Sequence, residues 1–278
     1  MQSFQRQRGF TLIEMVMVIV ILGAIGAVAA VFMRGPIDAY LASARRAALT
    51  DVADTTARRM ARDIRKALPN SIRTPANQCV EFIPTKTGGR YRTEDRAAGD
   101  SLNFSAADTT FNMLGRNSLP VPADQQIQQG DLIVVYNLGI TGADAYNQDN
   151  TSAVSQAPTE TAAPIETTIT INPMQFPLAS GSNRFHVVPA GEQVVGYVCV
   201  GDGTLRRYIR ALPYPAPAAC PLAAAVAAAP VLARNAACDF NYNGSDLQRN
   251  ALVRMVLQLT DGGETVVLQH EVHVNNTP

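Results

Sequence analysis

An apolar run extends from Phe10 to Met33, and its single charge is Glu14. Roughly 20 apolar residues suffice to cross a bilayer core. In hydrocarbon every backbone group must be satisfied internally, so the run predicts a spanning helix. Arg6 and Arg8 precede it, which predicts a cytoplasmic N-terminus. Gly35-Pro36 then interrupts the pattern. Proline removes a backbone donor, so a kink or short break is expected there, with Pro36 well placed to open a fresh helical segment. From Ile37 to about Leu68 the chain is rich in Ala, Arg and Leu, all good helix formers. At 100° per residue, Ile37, Leu41, Ala44, Ala48 and Val52 share one side, whereas Ala53, Ala57, Met60, Ile64 and Leu68 lie nearly opposite. A helix on one surface keeps one apolar stripe. The switch predicts two partners: neighbouring subunits for the first stripe and the chain's own globular domain for the second. Pro69-Asn70 ends the segment.

After Ser71 the period shortens to that of strands. Cys79–Ile83, the pair Gly88-Gly89 and Arg90–Arg92 read as a hairpin. Asp131–Leu138 contains a buried strand, and Glu166–Ile171 and Arg184–Val188 are short strands. Val194–Val200 and Thr204–Ile209 flank Gly201-Asp202-Gly203 as a hairpin. Leu252–Leu259 and Glu264–Val274 form a terminal one. Residues 139–164 read as a long loop, and the Ala/Pro tract 213–237 as an ordered loop held by cysteines. The expected division is a short basic head over 1–9, which the resemblance described below makes a leader, a membrane helix over 10–35, an amphipathic half over 36–70 and a β-rich domain over 71–278. The fold class is α+β, a long N-terminal helix followed by an antiparallel β-sheet domain.

Lysine plus arginine equals aspartate plus glutamate, 23 each among 278 residues, so no charge excess points to nucleic acid. The four cysteines, Cys79, Cys199, Cys220 and Cys238, all follow the membrane run. An even count on the extracytoplasmic side favours disulfides. Of the three connectivities, Cys220–Cys238 with Cys79–Cys199 is the one expected, because the first closes the Ala/Pro segment and the second joins two strands. Neither a phosphate-binding glycine loop nor a nucleophile elbow occurs, and His270 and His273 fall on opposite faces of one strand. No enzyme activity, cofactor or resident metal is expected. Two acidic stretches have some calcium character. Asp144 and Asp149 lie near Asn147 and Asn150. Asp239, Asn241, Asn243 and Asp246 follow an EF-hand spacing, but Asn250 stands where a bidentate glutamate belongs.

A carboxylate in a membrane helix costs roughly 2.5–3.5 kcal/mol at mid-bilayer. Glu14, one turn in, costs less, yet it still wants either headgroup water or a positive group on another chain. The string Gly9-Phe10-Thr11-Leu12-Ile13-Glu14, behind a short basic leader, resembles the class III signal of type IV pilins and type II secretion pseudopilins. That resemblance implies cleavage by a prepilin peptidase between Gly9 and Phe10, and methylation of the new Phe10 amine. It implies pairing of Glu14 with the amine of a neighbouring subunit. The implied partners are other major and minor pilins, the inner-membrane assembly platform and, before assembly, membrane lipid. The run from Pro36 to Arg73, the stretch Tyr197–Tyr208 and the terminal V-H-V-N-N-T-P resemble minor pilins of the mannose-sensitive haemagglutinin system. Tyr197–Tyr208 also resembles J-type minor pseudopilins and W-type minor pilins. One departure is Val31, which stands where major pilins usually carry proline. Ala27-Val28-Ala29 before Ala30 resembles a secretory cleavage site, and a membrane-anchored adhesin or binding module is the alternative from another class.

Overall fold

The computed structural model describes residues 9–95, 99–162, 164–243 and 250–278. Its elements run α1 (Leu12–Ile64), β1 (Arg73–Ala76), β2 (Cys79–Phe82), β3 (Thr87–Arg90), β4 (Asp108–Leu114) and β5 (Leu132–Val135). These are followed by β6 (Thr151–Ala153), β7 (Thr159–Glu160), β8 (Glu166–Met174), β9 (Arg184–Val188) and β10 (Val194–Val200). The chain closes with β11 (Thr204–Arg210), β12 (Val231–Arg234), β13 (Ala236–Asn243), β14 (Asn250–Asp261) and β15 (Glu264–Asn275). The class is the expected one, a long apolar helix followed by antiparallel sheets.

The helix does not break at Gly35-Pro36; α1 runs 53 residues with Pro36 inside it. One proline removes one hydrogen bond, and the turns on either side remain bonded. The helix stops at Ile64, short of Leu68. Lys66 N–H and Ala67 N–H tighten onto the carbonyls of Asp63 and Ile64, and Leu68 N–H leaves for Ile83 O at 2.7 Å. The switch of face is real. Ala53, Thr56, Ala57, Met60, Ala61 and Ile64 are buried, whereas Ile37, Leu41 and Val52 remain exposed.

The buried stripe packs into a core between two sheets. One has the order β1-β2-β10-β11-β12 and the other β13-β14-β15. Val80, Phe82, Val195, Tyr197 and Leu205 face the helix from the first, and Val253, Met255, Leu257, Val272 and Val274 from the second. The helix end is also anchored by charge. Asp63 accepts from Tyr197 Oη at 2.5 Å and Arg207 Nε at 3.1 Å, and Arg207 pairs in turn with Glu192. Burial, then Asp63, pushes the Tyr197 phenol up. Two further sheets, β3-β9-β5-β6 and β4-β8-β7, enclose a second core around Phe111, Ile133, Ile169, Phe176 and Phe185. Phe111 and Phe185 meet edge to face.

Both glycine-turn hairpins near the C-terminal half form as expected, β10 with β11 and β14 with β15. The first expected hairpin does not. β3 pairs with β9 rather than β2, and β2 pairs with β10. Gly88 and Gly89 lie within β3, not in a turn. A Cβ on Gly88 would sit 2.8 Å from Phe185 O, so the missing side chains serve close strand approach. The expected loop 139–164 carries β6 and β7 and a 3-10 turn at Ala145–Asn147; the tract 213–237 carries β12 and a 3-10 turn at Ala223–Val226.

Candidate functional site

The sequence at the head of α1 builds its own start. Thr11 is the N-cap, in extended backbone at φ −83° and ψ 151°. Its Oγ1 accepts from Glu14 N–H at 3.4 Å, while Glu14 Oε2 accepts from Thr11 N–H and Thr11 Oγ1, both at 2.9 Å. This reciprocal capping box satisfies donors that the first turn would otherwise leave orphaned. It also puts a carboxylate where the helix dipole favours negative charge. The expected site residues are thereby collected within one turn. Gly9 has open space around it, Phe10 is 89% exposed, and both precede the helix in non-helical backbone. The Gly9–Phe10 bond is accessible, and Glu14 projects from the first turn. Thr11 was not read as functional in the sequence, although T-L-I-E is a capping-box signature.

The four cysteines are all bonded, but not as expected. The pairs are Cys79–Cys220 and Cys199–Cys238, each with Cα atoms 5.7 Å apart. The expected Cys79–Cys199 pair fails on register. Cys79 lies opposite Val198, so Cys199, one residue on, faces the other side of the sheet. Cys79 and Val198 point at the Ala/Pro tract with Val226, while Cys199 points into the helix core. The other expected pair, Cys220–Cys238, fails with it, because each of its members has one of these opposite faces to meet.

The acidic stretches serve other ends. Asp144 Oδ1 accepts from Tyr146 N–H at 2.9 Å, and Asp149 Oδ2 accepts from Gly142 N–H at 2.9 Å, so both carboxylates hold the loop's backbone. Burial pushes Asp144 up from the usual carboxylate range. Asp239, Asn241 and Asn243 lie along β13 rather than in a loop. Strand geometry spaces alternate residues about 7 Å apart instead of wrapping them round one ion. Asp246 lies outside the described residues. His270 and His273 are both on β15, as expected three residues apart.

A polar cluster that the pattern did not reveal sits under β2. Glu81 is fully buried there. Its Oε2 accepts from Arg73 Nε at 2.8 Å, and its Oε1 accepts from Tyr208 Oη at 2.6 Å and Tyr214 Oη at 3.2 Å. The Arg73 guanidinium lies 3.6 Å above the Tyr146 ring, a cation–π contact. Tyr208 lies across from Gly196, where a Cβ would come within 2.2 Å of its ring. Burial, then Glu81, holds the Tyr208 phenol protonated far above its ordinary range. With both carboxylate oxygens engaged, the cluster's chemistry is cohesion: it ties β2, β11 and the segment after Leu212 together.

Residues 4–30 match the family model described as the prokaryotic N-terminal methylation motif. No curated protein and no solved structure matches the chain. The motif and the apolar helix fit a membrane-anchored protein. They support a type IV pilin-like family, for which prepilin peptidase processing and assembly with other pilins are the general expectation.

Proposed function

We propose that the chain is a minor pilin-like subunit, made as a single-pass inner-membrane protein and then incorporated at low copy into a filament, in a tip or initiation complex. The finer assignment, to the mannose-sensitive haemagglutinin type represented by the biogenesis protein MshO, rests on the resemblance over Pro36–Arg73. The observation that carries the reading is the head of α1. An accessible Gly9–Phe10 bond lies directly ahead of a helix whose first turn presents Glu14, and that helix leaves its apolar surface uncovered as far as Leu41. The disulfides agree with a periplasmic domain, since such bonds persist in oxidising compartments. The β domain, with four sheets among the described residues, is larger than a repeating filament subunit needs, which favours a low-copy position.

N-terminal sequencing and mass spectrometry of the mature chain test the processing step. A methylated Phe10 is expected, and an Ala30 start would overturn the reading in favour of secretion. Glu14→Ala separates a filament subunit from an anchored adhesin. Loss of assembly with normal membrane insertion is expected; unchanged incorporation of the variant would remove the polymerisation role.

A further inference from the structure

The last strand has one unpaired edge, and a row of cations stands beside it. In the sheet order β13-β14-β15, β15 is terminal. The direction of its backbone groups follows from its turn. Gly262 and Gly263 both have positive φ, 55° and 85°, and Asp261 pairs with Glu264 across them. A two-residue turn of this kind makes its flanking residues a hydrogen-bonded pair. Thr260 N–H accordingly points the other way, to Asn235 O at 3.1 Å. Counting by twos, Glu264, Val266, Leu268, His270 and Val272 bond inward to β14. Thr265, Val267, Gln269, Glu271 and His273 direct their N–H and C=O groups outward. Among the described residues, no strand pairs with that edge.

An open groove of about 430 Å³ lies between the end of α1 and β15, lined by Thr55, Arg58, Ala61, Arg62, Arg65 and His270. Arg58 and Arg62 on α1 and Arg65, its C-cap, share one face at the spacing of successive turns, and all three are exposed. Arg58 pairs with Asp54 on its own helix. Arg62 and Arg65 form no ion pair among the described residues. Exposed edges of this length are usually blunted by charge or cover because they template pairing with other chains. Here the cations lie on the adjacent helix and leave the edge itself accessible.

We infer that the β15 edge and the Arg58–Arg62–Arg65 row together form a docking groove for an extended acidic segment of another protein chain. The segment would add as a strand beside β15. Alternate side chains would point to the helix side, where carboxylates meet the arginines, as in other strand-addition modes in which backbone bonds give affinity and side chains give selectivity. Charge argues against a second copy of this chain as the occupant. Antiparallel pairing of two β15 edges about a two-fold axis keeps both helices on one face, which sets arginine row against arginine row. Distance argues against lipid headgroups. Arg58 is 24 residues beyond Arg34 along one continuous helix, about 36 Å at 1.5 Å per residue. The inference does not depend on filament assembly.

The test is amide hydrogen exchange on the full chain in detergent, with and without a blocked (Thr-Glu)4 octapeptide, and with (Thr-Lys)4 as control. In the free chain the amides of Thr265, Val267, Gln269 and Glu271 should exchange fast and those of Val266, Leu268 and Val272 slowly. The acidic peptide should slow the outward set at least tenfold; the basic peptide should not. The R62E/R65E double variant should lower peptide affinity tenfold or more. Val267→Pro, which removes an outward N–H and no ladder bond, should weaken binding while the inward amides stay protected. Outward amides already slow in the free chain, no slowing with the acidic peptide, or equal slowing by both peptides would each overturn the inference.

Discussion

His186 shows how much one ring can weigh in this domain. It stands on β9 opposite Gly88 and Val134, with Nε2 buried and without a hydrogen-bond partner among the described residues. Burial, with Arg184 adding to it, lowers its pKa to about 4. The unfolded chain therefore binds the proton first, near pH 6.5, and the folded chain follows near 4. Stability is full above 6.5, falls as pH drops through that window, and levels off below it. The shift corresponds to about 3 kcal/mol, and chemical denaturation between pH 7 and 4 should show it. His186→Leu should flatten the profile. Glu166 works in a lower window. Its pKa is lowered by the Arg92 hydrogen bond first, against burial and helped by Asn112, so its contribution is present at neutral pH and lost as pH falls below the ordinary carboxylate range. At Glu81 the penalty comes from leaving Arg73 behind. Glu81→Ala strands a guanidinium in the interior, and breaking a buried pair in this way costs about 3–5 kcal/mol, readable as a lower denaturation midpoint at pH 7.

At the scale of elements, the cysteines divide what a sequence can carry from what it cannot. Strand identity was legible around Cys79 and Cys199, because apolar residues cluster there. Register was not, and a one-residue offset exchanges the faces of a strand. Non-reducing peptide mapping should return Cys79 with Cys220 and Cys199 with Cys238. The chain-entropy model assigns about 5 kcal/mol to the first loop, of 141 residues, and about 4 to the second, of 39. Paired Cys→Ser variants should therefore rank in that order. The two later hairpins were legible because a glycine turn fixes pairing locally. β2 and β3 were misjoined because Gly88-Gly89 satisfies a turn pattern equally well as a site of close approach. β13 was hidden for a third reason. Ala236, Cys238, Phe240 and Tyr242 alternate inward, but the Asp and Asn residues between them imitate a metal loop.

Across the whole molecule, the helix belongs to two environments, and the boundary is visible in burial. Every buried helix residue lies at Ala53 or beyond. Removing residues 1–34 deletes none of the core formed by the described residues, so the truncated chain should stay soluble and folded, with strand-rich circular dichroism and a single size-exclusion peak. The full chain should require detergent. At the head of α1 the positions of Gly9, Phe10 and Glu14 were legible, since they lie within six residues of sequence, whereas the capping role of Thr11 between them was not. The polar cluster at Glu81 was not, because Arg73, Tyr146, Tyr208 and Tyr214 reach it from segments up to 141 residues apart.

The unbroken course of α1 through Pro36 also sets a clearance. Among the described residues, the hydrogen bond between domain and helix that lies lowest on α1 is Arg45 Nη1 to Gly262 O, at 3.0 Å. Arg34, the first charge past the apolar run, lies eleven residues below it. That is about 16 Å of bare rod at 1.5 Å per residue. Were Arg34 held at the headgroups, the domain would ride above the bilayer like a float on a short mast. A single helix, about 10–12 Å across, can slide through the gap, whereas a folded domain, with a radius of gyration near 13 Å for 100 residues, must stay beside it.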